Sequence, residues 1–241
     1  MSTPAATILA HLKTVDAERA RRAAVPGLNA KIVALKAYQQ RRFSHTYADL
    51  LQSPRYGSAS RFFLNDLYGP SDFTRRDAQF ARVVPALVRL FPSEIVETVA
   101  TLAELHALSE TLDTLMGTQI QSDALTGVDY IRAWQGTGQA AERQRQIALT
   151  LDVAGRLDRL TRRVLMRNSL RMMRGPARAA GLAELQRFLE TGFDTFLAMN
   201  GAQEFIAIVD ARERALASAL FNAALTEPPD ETVGHALARL P

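Results

Sequence analysis

Apolar residues recur at intervals of three and four along almost the whole chain, and no segment alternates apolar and polar residues as a half-buried strand would. Leu28, Ile32, Leu35, Phe43, Tyr47 and Leu50 predict a helix over about 27–51. Phe80, Val83, Val84, Leu87, Val88 and Phe91 mark one face of a helix starting near 74. Pro85 lies inside that face, and its missing N–H predicts a kink or a shortened first half. Ser93, between Pro92 and Glu94, is a candidate N-cap for a helix running to about 116 and ended by Gly117. A shorter segment over 122–135 carries Val128, Ile131 and Trp134. Gly136 and Gly138 separate it from a long helical segment over 139–173.

Two apolar faces follow. Leu185, Phe188, Leu189, Phe193, Phe196 and Leu197 form the first, and Phe205, Val209, Leu216 and Leu220 the second. The short connection Met199–Gln203 between them predicts an antiparallel helical hairpin. The pattern therefore predicts an all-α bundle of about seven to nine helices. It forms one domain over 1–225, with 1–25 a candidate peripheral segment and 226–241 a loose tail.

Charge is unevenly distributed. Residues 92–130 hold seven acidic side chains and no Lys or Arg, whereas 139–178 hold ten arginines against three acids. Arg156, Arg159, Arg163, Arg167, Arg171, Arg174 and Arg178 step by three or four, so an unbroken helix would align them on one face. Three readings fit this stripe: neutralisation by the acidic block inside the bundle, a plain solvated face, or a grip on nucleic acid or anionic lipid. The apolar positions between the arginines, Leu157, Leu160, Val164, Leu165 and Met172, read as core, and aromatic residues for base stacking are missing.

The 241 residues include no cysteine, which excludes disulfides, thiolate metal sites and cysteine nucleophiles. The start of the chain lacks a basic segment followed by an apolar run, and no apolar stretch approaches bilayer length, so a cytoplasmic protein is expected. The spacing of His11, His45, His106 and His235 matches no metal-binding or di-iron pattern, and no phosphate loop or nucleophile elbow is present. No cofactor and no metal are expected. His106 is the one histidine inside a strongly periodic helix, where Ser109, Glu110 and Asp113 can share its face. That row is a candidate proton relay or ligand contact, or simply a histidine bonded at a bundle boundary.

The richest chemistry sits in Phe62–Asp77, FFLNDLYGPSDFTRRD. Gly69 and Pro70 read as a helix stop, and Thr74 with Asp77 as a capping box starting the next helix. Arg75 and Arg76 then place two cations in a first turn, where the helix dipole disfavours them. Asp66, Asp72 and Asp77 are close enough in sequence to offset them. The cluster of Asp66, Tyr68, Asp72, Arg75, Arg76 and Asp77 is thus either a structural ion-pair knot or a binding site for a polar ligand or a partner. Secondary candidates are His106 and Glu110, and Arg163, Arg167, Arg171 and Arg174 of the stripe.

This segment, with LAELHALSETLD and the later RGPARAAGLAELQRFLETGFDTFLAMNGAQEFIAIVDARE, resembles an uncharacterised proteobacterial all-helical family. The shared form is FF-x-x-x-LYG-x-x-DF-x-x-RD, carried here by Phe62, Phe63, Leu67, Tyr68, Gly69, Asp72, Phe73, Arg76 and Asp77, within a likeness over about 55–215. The resemblance implies no activity. The expectation is a non-enzymatic helical domain that recognises a protein or small ligand. The alternatives are anion binding through the arginine stripe and an enzyme centred on His106 and Glu110.

Overall fold

The computed structural model describes residues 3–67, 73–121, 124–225 and 231–241. Its secondary structure, among the described residues, is thirteen α-helices and one π-helical turn. They are α1 (Pro4–Ala24), α2 (Leu28–Thr46), α3 (Ala48–Gln52), α4 (Gly57–Phe62), the π turn (Phe63–Leu67), α5 (Thr74–Leu90) and α6 (Ser93–Gln119). There follow α7 (Gly127–Gly136), α8 (Ala140–Thr161), α9 (Val164–Met172), α10 (Arg174–Ala179), α11 (Ala183–Ala198), α12 (Gln203–Asn222) and α13 (Glu231–Leu237).

The count exceeds seven to nine because breaks fall inside stretches whose periodicity reads as continuous. Tyr47 leaves the helical region at φ −117° and ψ 26°, dividing α2 from α3. Arg163 is extended, at φ −89° and ψ 106°, dividing α8 from α9. Spacing alone cannot show such a break, since one non-helical residue leaves the next apolar residue three or four positions on. Pro85, by contrast, lies within an α5 that continues through it.

The 27-residue α6 is the axis of the molecule. Its first residue is Ser93, and Pro92 occupies the cap position with no side-chain bond, so Ser93 is not the N-cap. Gly117 lies inside α6 rather than ending it. A Cβ there would stand 2.3 Å from Ile32 Cδ1, so the glycine is what lets α2 approach this closely. α1 packs along α6 and α5; Ile8 and Val15 are fully buried, Ile8 in a cluster with Leu12, Val84, Val96 and Ala103. The segment expected at the periphery therefore supplies part of the core.

α11 and α12 are not a packed hairpin. α11 rests mainly on α4, α8 and α9, while α12 rests on α7, α8 and α13. The connection explains the divergence. Asn200 and Gly201 take positive φ, 50° and 107°. Arg55 donates to the carbonyls of Met199 and Gly201, and the buried Asp158 of α8 accepts from the Ala202 amide at 3.0 Å. The turn is thus pinned to α8 and Arg55 instead of closing α12 onto α11. The C-terminal stretch is not loose over residues 231–240 either: Val233, Ala236 and Leu240 are buried against Leu216 and Leu220. Seven residues of α13 make two turns, too short to show a period.

The acidic and basic blocks face one another. α6 and α8 pack together, and Glu94, Glu97 and Glu104 pair with Arg163, Arg156 and Arg145 as the two helices run in opposite directions. The break at Arg163 splits the rest of the stripe onto α9 and α10, where Arg167 and Arg174 reach Asp194 and Glu190 of α11. Met172, expected in the core, is 79% exposed because this break turns α9 away from the α8 face. Among the described residues no helix is long and apolar enough to cross a membrane.

Candidate ligand-binding cavity

Three apolar clusters make up the core: α2, α7, α12 and α13 around Tyr130 and Leu220; α3, α4, α11 and α12 around Phe196 and Phe205; and α1, α5 and α6 around Ile8 and Val84. Between them lies a cavity of about 310 Å³. Its walls take residues from all three clusters, among them Trp134 and Leu216, Tyr47 and Phe205, and Leu12 and Ala103. Most of the lining is apolar, including Phe63, Phe73, Phe188, Leu102 and Leu151. Polar side chains enter it in three groups.

The first group comes from the stretch rich in chemistry. Phe73 is the cap residue of α5 and makes no side-chain cap bond, so the expected capping box is not formed. The Asp77 amide bonds to the Phe73 carbonyl instead. The Asp77 carboxylate is taken by Arg19 Nη2 at 2.6 Å and lies 3.0 Å from His106 Nε2. These two stand outside the sixteen residues, while Arg76, inside them, lies 3.7 Å from the other carboxylate oxygen. Burial alone would push Asp77 up, but His106 and Arg19 outweigh it and hold the carboxyl below its ordinary value. Arg76 lies against the Phe73 and Phe188 rings, 4.1 and 4.6 Å from their centroids, and donates to the Asp66 carbonyl. That contact with two aromatic faces answers the adverse dipole position. Burial pulls the Arg76 guanidinium below its ordinary pKa, and Asp77 and Asp66 oppose it.

Asp66 thus holds Arg76 through its backbone carbonyl, and its carboxylate acts on the guanidinium through space. Arg75 turns outward to Glu184 at 3.2 Å, with its side chain 78% exposed. Tyr68 and Asp72, like Gly69 and Pro70, lie outside the described residues. Of the motif positions that are described, Phe63, Leu67, Phe73, Arg76 and Asp77 all line the cavity. Phe62 stacks on Phe188, which lines it too.

The second group surrounds Glu110. Arg22 Nη1 donates to its carboxylate and Nη2 to its backbone carbonyl, while Lys36 Nζ holds the other carboxylate oxygen. Burial would raise the Glu110 pKa, but Lys36, Arg22 and His106 together keep it below the ordinary value. Glu110 thus serves α1 and α2 rather than forming a direct row with His106.

The third group has no counterpart among the candidates. Arg42 Nη1 and the Tyr47 hydroxyl both donate to Glu213 Oε1. Tyr130 and Trp134 stand beside them on α7, with ring centroids 6.0 Å apart, and the Arg143 guanidinium lies 4.1 Å over Trp134. One signal was available: Leu28, Ile32, Leu35, Gln39 and Arg42 continue one stripe at steps of four and three, so the last two polar residues occupy the buried face. Of the secondary candidates, His106 and Glu110 line the cavity and the four arginines of the stripe do not. Among the described residues, no three His, Asp or Glu side chains group as metal ligands.

Fold and site together define an all-helical protein built around a cavity of mixed apolar and polar lining. The chain belongs to the family described as Domain of unknown function (DUF8198), which matches residues 18–227. That range takes in every cavity-lining residue except Leu12. No curated protein and no solved structure matches the chain.

Proposed function

We propose that the protein binds a small, mostly apolar molecule in the cavity between its three core clusters. The carrying observation is the cavity itself: about 310 Å³, walled by aromatic and aliphatic side chains, with a few polar groups converging on it. That size and lining are those of ordinary small-molecule sites. The shared motif positions of the family resemblance supply five of the lining residues, which supports the cavity rather than the outer surface as the place of recognition. The arginine stripe is not proposed as an anion grip, since Arg156, Arg163, Arg167 and Arg174 each face a carboxylate.

The test is a native mass spectrum of the protein from its own host, followed by a thermal-shift screen of apolar small molecules. Binding is expected to vanish in Leu151→Trp, whose ring fills the cavity, while circular dichroism shows the fold intact. Binding that survives this filling places the ligand elsewhere and overturns the proposal.

A second reading, chemistry at His106, is favoured by the His106–Asp77 contact on the same wall. A carboxylate beside an imidazole can orient it to hold or move a proton. Incubating a bound molecule with wild type and with His106→Asn, and following it by NMR, separates the two. Conversion by wild type alone makes the protein an enzyme, and an unaltered ligand in both leaves it a binder.

A further inference from the structure

Three hydrogen-bond donors on residues lining the cavity have no acceptor among the described residues: Arg42 Nε, the Tyr130 hydroxyl and Trp134 Nε1. Tyr130 is fully buried and Trp134 is 7% exposed. Buried donors in folded proteins are almost always satisfied, so three beside one cavity ask for a common explanation.

They are neighbours. Tyr130 and Trp134 are one turn apart on α7 and in ring contact. Arg42, Arg143 and Glu213 all lie close enough to act electrostatically on the Tyr130 phenol. The Tyr130 hydroxyl carries a proton of its own, and no acceptor among the described residues stands within hydrogen-bond distance of it. Burial raises the Tyr130 pKa and keeps that proton in place.

Two asymmetries narrow the chemistry. All three groups are donors, which selects a head group that only accepts and rejects an amine. The charges lining the cavity are Lys36, Arg42, Arg76 and Arg143 against Asp77, Glu110 and Glu213, four cations to three carboxylates. An anion complements that surplus where a neutral carbonyl does not. The remaining wall, with Phe63, Phe73, Phe188 and Phe205, suits a hydrocarbon or aromatic body.

We propose, resting on the cavity-binding reading above, that the ligand is a small apolar carboxylic acid, its carboxylate held by Arg42 Nε, the Tyr130 hydroxyl and Trp134 Nε1. The body of the molecule lies against the phenylalanine wall.

Trp134 is the only tryptophan of the chain, so its emission reports directly on the head-group end. The probes are phenylacetate and octanoate, with 2-phenylethanol, octanol and 2-phenylethylamine as matched bodies with other heads. The carboxylates are expected to shift Trp134 emission and to bind about tenfold or more tighter than the alcohols, with the amine weakest. Tyr130→Phe should leave the free protein as stable as wild type, or more so, because it removes an unsatisfied donor. The same variant should lower carboxylate affinity about tenfold and barely change alcohol affinity. Arg42→Met should erase the preference for acids. If it fails to fold, Tyr130→Phe and Trp134→Phe, read by calorimetry, carry the test. Alcohols binding as tightly as acids overturn the head-group assignment and leave the cavity reading standing. So does a Tyr130→Phe variant that is destabilised yet binds acids normally, or ordered water on all three donors with no preference for acids. If no probe of any class moves Trp134 emission or the melting temperature, both readings fail.

Discussion

Arg22, near the end of α1, holds Glu110 twice: one guanidinium nitrogen donates to its carboxylate and another to its backbone carbonyl. Both residues are buried, 4% and 5% exposed, and they tie α1 to the middle of α6. Removing Arg22 takes one of two cations off the buried Glu110 carboxylate, leaving it to Lys36, and strips the donor from the Glu110 carbonyl. Arg22→Ala is therefore expected to cost about 3–5 kcal/mol in urea denaturation.

The exposed ladder between α6 and α8 should behave differently. Arg163 and Glu94 are 56% and 31% exposed and are screened by solvent. Arg163→Ala or Glu94→Ala is expected to cost under about 1 kcal/mol, and less at high salt. A cost as large as that of Arg22→Ala would show that this pair anchors the break between α8 and α9.

Asp77 and Glu110 both have pKa values below their ordinary 3.8 and 4.5. Their folded values lie below their unfolded ones, so the stability they contribute is complete above the unfolded values. It is lost as pH falls through the folded ones. Stability should thus decline progressively below pH 4.5. Glu110→Gln should be less stable at neutral pH and show a shallower acid decline, measured as denaturation midpoints against pH.

Gly117 sets the crossing of α6 over α2. Its missing side chain leaves room for Ile32, which is itself buried. Gly117→Ala is expected to cost about 1–3 kcal/mol by overpacking. Adding Ile32→Val, which removes the Cδ1 in the way, should recover part of that loss, so the double variant costs less than the sum of the singles.

Asp158 holds the turn between α11 and α12 through the Ala202 amide and Gln203 Nε2, and also accepts from Arg162. Asp158→Ala strands those donors. It is expected to cost about 1–3 kcal/mol and to speed hydrogen exchange at Ala202.

The helical class was legible because burial imposes a period of three to four wherever a helix has an apolar side. Breaks were not, since Tyr47 and Arg163 depart from helix geometry without disturbing that spacing. The divergence of α11 and α12 was hidden because it depends on Arg55 and Asp158, more than forty residues distant in sequence. The concentration of chemistry at Phe62–Asp77 was visible, but its partners were not: Asp77 answers to Arg19 and His106, which no local spacing links to it. Arg42, Tyr130 and Trp134 were not among the site candidates for the opposite reason. Each sits in an apolar stripe, where a polar atom is easily counted as part of the core.

The cavity walls draw on residues from Leu12 to Ala217. A cut anywhere in the middle of the chain separates residues that line the same cavity, and neither piece carries more than part of a wall. The proposed recognition is therefore a property of the completed tertiary structure, and cannot be reduced to a peptide or grafted as a loop. Two fragments divided between α7 and α8 would regain binding only by reassembling the whole bundle. Ligand capture by such a mixture would report on fragment complementation as faithfully as any spectroscopic signal.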